Sequence, residues 1–273
     1  AAAPRLIVTL DASFHGRTLT TVTATGQDTF HKFFGPFTPG FRYVPASDLA
    51  ALERQLDAED CSAVLVEIVQ GEGGVRALDA DYLKAVEALC HEKNVLFCVD
   101  EVQTGNGRTG TWFAYEQFGL SPDLVSTAKG LGNGLPIGAT LMGSKTAEVL
   151  TPGTHGSTFG GNPVACAGAL SVLEQIDDAF LEAVKQKGAW LTAELEKIPG
   201  VKDVSGLGLM LGFSVEGCKS ADIKAKALDN GLVVLTAKDR VRLLPPLAIT
   251  EEELSDGLLR LAAAIREVQE AAH

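Results

Sequence analysis

Cysteine is sparse in this chain: five residues (Cys61, Cys90, Cys98, Cys166, Cys218) are scattered through 273 positions. They form no CxxC pair and no Cys/His ligand spacing. That argues against a disulfide framework or a metal site and predicts reduced core thiols in a cytoplasmic protein. Runs of Lys and Arg are also missing, and the formal net charge is -12. Nucleic acid is therefore not an expected partner, and the acidic balance favours solubility without bearing on the fold. No apolar stretch is long enough to span a bilayer, so no membrane partner is expected. The opening AAAPRLIVTL lacks the layout of a signal peptide. Internal repeats, low-complexity tracts and long linkers are absent.

What remains is a chain that is 46% hydrophobic, enough for a large core and for two domains. Apolar runs at Arg5–Leu10, Ala63–Ile68, Val95–Val99, Asp123–Thr127 and Ile137–Met142 predict strands. Between the second and third, Asp79–Glu92 places Leu83, Val86 and Leu89 at helical spacing. Strand–helix–strand alternation implies a parallel sheet with right-handed crossovers. Helices are also predicted at Ser47–Gln55, opened by a capping residue, and at Val164–Gln175 and Phe180–Lys197. The segment Gln27–Tyr43, rich in Phe, Pro and Gly, predicts an irregular loop packed by its aromatics, either a subunit contact or covered by the chain itself. Short strand-like runs in Val201–Val215 and Gly231–Leu244, a helix at Asp222–Leu228 and a closing helix at Glu251–Val268 capped by Thr250 form a small α+β part. The expected architecture is α/β: a large domain over 1–176 and a small C-terminal α+β domain over 177–273.

The stretch VLFCVDEVQTGNGRTG…DLVSTAKG organises the chain. Asp100 ends one buried strand and Lys129 follows another. Ligands of open α/β sheets bind outside the carboxyl ends of strands, so both residues should face one crevice. A desolvated lysine can form a Schiff base with a carbonyl. Pyridoxal phosphate (PLP) needs such a lysine together with an acid on its ring nitrogen. A lone Asp capping a turn and a lone solvated Lys would be the blander reading. Gln103, the Gly-rich run GLGNGLPIGA after Lys129, and the polar cluster HGSTFGGNP at 155–163 favour the chemical one.

Together, DEVQTGNGRTG, STAKGLGNGLPIGA and HGSTFGGNP resemble the class III (ornithine/acetylornithine type) PLP-dependent aminotransferases. The resemblance runs from about Ile7 to the end. It implies fold type I and a cofactor site of Lys129, Asp100 on the ring nitrogen, Gln103 on the ring hydroxyl oxygen and Phe14 stacked on the ring. Thr158 would reach the cofactor phosphate of a neighbouring subunit in a homodimer with shared active sites. Arg17 would lie near the distal end of the substrate, Ser157 would contact substrate, and Arg242 would bind a substrate carboxylate. Glu72 is the candidate switch on Arg242, with Glu67 behind it. Without the resemblance, Phe14 packs as core, Arg17 is a surface charge, Thr158 is a turn residue, Arg242 an edge-strand arginine, and both glutamates cap turns. His15 is expected to be a hydrogen-bonded structural histidine.

The implied reaction moves an amino group from N-acetylornithine or a related ω-amine to 2-oxoglutarate, a step of arginine biosynthesis. Ornithine, succinylornithine or 4-aminobutyrate are alternative donors, and a glutamate-semialdehyde aminomutase, needing no external keto acid, is a further alternative activity. The family's amino-terminal portion, with its phosphate-binding loop, has no match in residues 1–273, and Ala1–Pro4 resembles a cut edge. A catalytically inactive fragment and an unpaired sheet edge are therefore also expectations.

Overall fold

A computed structural model of the chain describes residues 6–271. Ala1–Pro4 and the Arg5 placed at the start of the first strand lie outside the described residues. The chain divides into two compact units. The first comprises residues 1–70, 78–106 and 113–176. The second comprises 177–273 together with 71–77 and 107–112, two segments that fall inside the expected large domain.

In the first unit a sheet of six strands runs in the order Phe41–Val44, Leu6–Leu10, Cys61–Val66, Leu96–Asp100, Leu124–Thr127, Ala139–Met142. All neighbouring pairs are parallel except the last, which is antiparallel. Near-continuous apolar runs make such strands, because helices cover a parallel sheet. Val8, Leu10, Val64, Val66 and Phe97 are wholly buried. The crossover helix Ala80–Glu92 is opened by Asp79, whose carboxylate accepts from the backbone N–H of Asp81 and Tyr82. Its Leu83 and Val86 are fully buried, each contributing about 1.5–3 kcal/mol. The helix Leu49–Ala58 starts one residue later than its sequence suggests. Asp48 caps it by accepting from Ala51 N–H at 2.9 Å, while Ser47 adopts a left-handed turn conformation.

The segment 27–43 is less irregular than expected. Phe41–Val44 is an edge strand paired in parallel with Leu6–Leu10. Phe33, Phe34 and Phe37 of the preceding loop are exposed. At the other side of the sheet Ala139–Met142 is largely exposed.

The second unit holds an antiparallel sheet in the order Leu235–Ala237, Arg240–Leu243, Met210–Val215, Val201–Leu207. The helices Asp178–Leu195, Ser220–Asp229 and Glu251–Ala271 belong to the same unit. Its core is built on Leu195, Leu209, Phe213, Ile223, Val241 and Leu261. The closing helix begins in a capping box: Glu253 N–H donates to Thr250 Oγ1 at 3.1 Å and Thr250 N–H donates to Glu253 Oε2 at 2.9 Å. These donors hold the Glu253 carboxyl below its usual range. Among the described residues no helix is long and apolar enough to cross a membrane.

Candidate active site

Asp100 closes its strand at the carboxyl edge of the sheet and is 8% exposed. A carboxylate there must be held by donors. Its Oδ1 accepts from Ser126 Oγ at 3.0 Å and from Val102 N–H at 3.0 Å. Its Oδ2 meets His15 Nδ1 at 2.8 Å. Ser126 is the residue paired in register with Asp100 on the neighbouring strand, which is why its hydroxyl reaches. An ionised carboxylate offers about four acceptor positions. Three are used, so Asp100 is oriented and still able to accept.

The neighbouring strand ends at Thr127, and the chain turns at once into Lys129. Lys129 holds a left-handed backbone, φ +46°, which costs a non-glycine residue free energy and persists only when neighbours impose it. Asn106 supplies the restraint: its side-chain N–H donates to Thr127 Oγ1 at 2.9 Å and to the Ala128 carbonyl at 3.1 Å. The glycines beyond allow close packing; a Cβ on Gly132 would stand 2.7 Å from Ile137. Register thus puts Asp100 and the Lys129 turn at the same edge of adjacent strands.

The loop after the first strand brings further residues to Asp100. His15 is pinned by its own N–H, which donates to Thr25 Oγ1 at 2.9 Å, and its side chain is 2% exposed. It is hydrogen-bonded, as expected, but its partner is the acid of the candidate site. Phe14 N–H donates to the buried Glu67 Oε2 at 2.8 Å. The Phe14 ring is half-buried and meets Phe30 edge-on at 5.0 Å. Arg17 lays its guanidinium over Phe30 at 4.5 Å and Phe14 at 5.4 Å. Gln103 Nε2 is buried and has no hydrogen-bond partner among the described residues. Ser157 and Thr158 are exposed; Ser157 Oγ accepts from Gly160 N–H at 3.0 Å. Ser157 and Thr127 line one groove of about 970 Å³.

Within the second unit, Arg242 Nη1 donates to Glu72 Oε1 at 2.7 Å. Arg242 is 8% exposed, and its Nε has no hydrogen-bond partner among the described residues. A nearly buried guanidinium with one carboxylate and an unused donor can exchange that carboxylate for another. In the first unit, Glu67 Oε2 accepts from the Phe14 N–H.

The Aminotransferase class-III family matches residues 3–265. This chain belongs to the class III aminotransferases. The acetylornithine aminotransferase of Haemophilus ducreyi is 50% identical over 263 residues, 96% of this chain and 67% of that protein. That of Bacillus subtilis is 47% identical over 264 residues, 95% of this chain and 68% of that protein. Among solved structures, the ornithine aminotransferase of Toxoplasma gondii, described with partial occupancy of PLP at its active site, matches with TM-score 0.90 and 36% identity, over all of this chain and 67% of that one. The N-acetylornithine aminotransferase of Stenotrophomonas maltophilia matches with TM-score 0.84 and 36% identity, over 99% of this chain and 68% of that one. The class III chain described here therefore has the fold type I architecture of a PLP-dependent transaminase and spans about two thirds of its relatives' length. PLP use is a property of the family. The residues present fit that group: Asp100 retains an acceptor position, and the orphaned Gln103 Nε2 is a buried donor waiting for an oxygen.

Proposed function

We propose that this class III aminotransferase binds PLP at Asp100, Gln103, Phe14 and Lys129 and transfers an amino group from N-acetylornithine, or a related ω-amine, to 2-oxoglutarate. The observation that carries the reading is Asp100, held by His15, Ser126 and Val102 in register with the strand that delivers Lys129. PLP, when bound, supplies an electron sink for the substrate's α-carbon. The chain's own residues do the rest. Asp100, oriented by His15, Ser126 and Val102, would accept from the ring nitrogen. Gln103 would donate to the ring oxygen, and Phe14 would offer its face. The Lys129 amine takes and returns a proton at the substrate carbon. Arg242 grips a substrate carboxylate, with Glu72 covering the guanidinium when none is bound. Arg17 holds the distal carboxylate or acyl end, and Ser157 touches substrate.

The donor choice follows the relatives, whose names specify acetylornithine, and places the reaction in arginine biosynthesis. Thr158 is proposed to reach the cofactor phosphate of a second copy in a homodimer. Its exposure, and that of Val149, Leu150, Phe159 and Val164 nearby, support this. Reduced thiols support a cytoplasmic location. A large domain over 1–176 and a small one over 177–273 remain the proposed division.

The test is turnover with PLP, N-acetylornithine and 2-oxoglutarate. Activity lost in Lys129→Ala and dependent on the keto acid supports the reading. Activity without any keto acid points instead to an aminomutase.

A further inference from the structure

Arg240, in the second unit, is 1% exposed, and among the described residues no carboxylate hydrogen-bonds to it. Its Nη2 alone makes bonds, donating to the Asp203 carbonyl, to Ser205 Oγ at 2.8 Å and to the Gly212 carbonyl at 2.6 Å, while Nε and Nη1 have none. Burial pushes the guanidinium pKa down. As a stability device this is poor, since an apolar residue would avoid the desolvation cost. What the arrangement does is pass a hydrogen bond onward. Ser205 Oγ, accepting from Arg240, donates to the Val75 carbonyl at 2.6 Å.

Val75 belongs to the short loop that carries Glu72. Its N–H and that of Gly74 both donate to the Gly71 carbonyl, closing a tight turn with Glu72 inside. Val75 has φ +53°, a genuine outlier for a β-branched residue. Gly74 has φ +110°, and a Cβ there would stand 3.1 Å from Arg240 Cδ. Beneath, Gly212 leaves room for Val75, since a Cβ on it would stand 2.7 Å from the Val75 side chain. So the strained turn is pressed on the sheet by packing, and the Ser205 hydroxyl ties it there.

We propose that Ser205, oriented by Arg240, is a positioning residue that sets how firmly Glu72 covers Arg242. The relay Arg240–Ser205–Val75 fixes the loop, and the loop fixes the Glu72 carboxylate against the guanidinium. Loosening it frees Arg242 for an incoming carboxylate. The inference rests on the carboxylate-binding reading of Arg242 given above.

The experiment measures 2-oxoglutarate affinity by calorimetry, with PLP present, for the wild type, Glu72→Ala, Ser205→Ala, Ser205→Thr and the double variant. Removing Glu72 is expected to tighten binding about tenfold, and Ser205→Ala about threefold in the same direction, with no further gain when Glu72 is already gone. Ser205→Thr keeps the hydroxyl and is expected to match the wild type. Hydrogen exchange at the Gly74 and Val75 amides should quicken in Ser205→Ala alone among the Ser205 variants. A merely structural lesion would weaken binding, so weaker or unchanged affinity in Ser205→Ala overturns the proposal. Unchanged affinity in Glu72→Ala, or no binding by any variant, would overturn the carboxylate reading of Arg242 itself.

Discussion

Each site side chain takes its role from neighbours that its sequence position does not reveal. Asp100 is legible in the sequence because it ends an apolar run. His15 is not, because its partner lies 85 positions away. Gln103 gives a middle case: its spacing from Asp100 is visible, but the orphaned donor appears only once the chain is folded. Replacing Asp100 by Ala is expected to weaken PLP binding by about 1.5–3 kcal/mol, the scale of a hydrogen bond to a charged group. Titration of the protein with PLP, followed by absorbance, checks it. Arg17 stacks on Phe30, a contact that no sequence pattern announced. Losing that shelf in Phe30→Leu should cost about 0.5–1 kcal/mol of dicarboxylate binding. It should appear in the KM for 2-oxoglutarate with kcat little changed, and Phe30→Trp should retain the wild-type value.

At the scale of elements, strands and helices buried on both sides were legible, because apolar runs and caps are local signals. The edge strand Phe41–Val44 was not: it is short, follows a loop rich in Phe, Pro and Gly, and is half exposed. Burial inside elements has chemical consequences. The thiols of Cys90 and Cys98 are pushed up to about 12 by desolvation. Iodoacetamide at neutral pH is expected to spare both in the native protein and to label the more open Cys166 and Cys218 first, as peptide mass mapping would show. Glu101, fully buried beside Asp100 in sequence, accepts from Thr104 Oγ1 and Tyr115 N–H, and burial raises its pKa. A raised folded pKa means the folded state holds the proton more tightly than the unfolded chain. Its contribution is therefore full at low pH and is lost as pH rises through the raised value. Glu101→Gln should flatten the fall of Tm with pH above the ordinary carboxyl range; an unchanged slope would count against this.

For the whole molecule, a two-domain α/β plus α+β organisation could be anticipated from where the strand–helix alternation stops. The interleaving could not: residues 71–77 and 107–112 belong to the second unit although they lie between strands of the first. Their glycines read as turns, and nothing local tells which unit a turn joins. Arg108 shows how one such segment is held: its guanidinium, lowered to about 10 by burial, donates to the carbonyls of Leu209 and Pro245. Lys129 and Asp100, delivered to one sheet edge by adjacent strands, are proposed to serve a single cofactor. The most direct measurement is the absorption spectrum of the purified protein with PLP, compared among the wild type, Lys129→Ala and Asp100→Ala. A band near the visible edge in the wild type, abolished in the first variant and displaced or weakened in the second, is the expected result. A wild type that stays colourless, or a band indifferent to both substitutions, would contradict it.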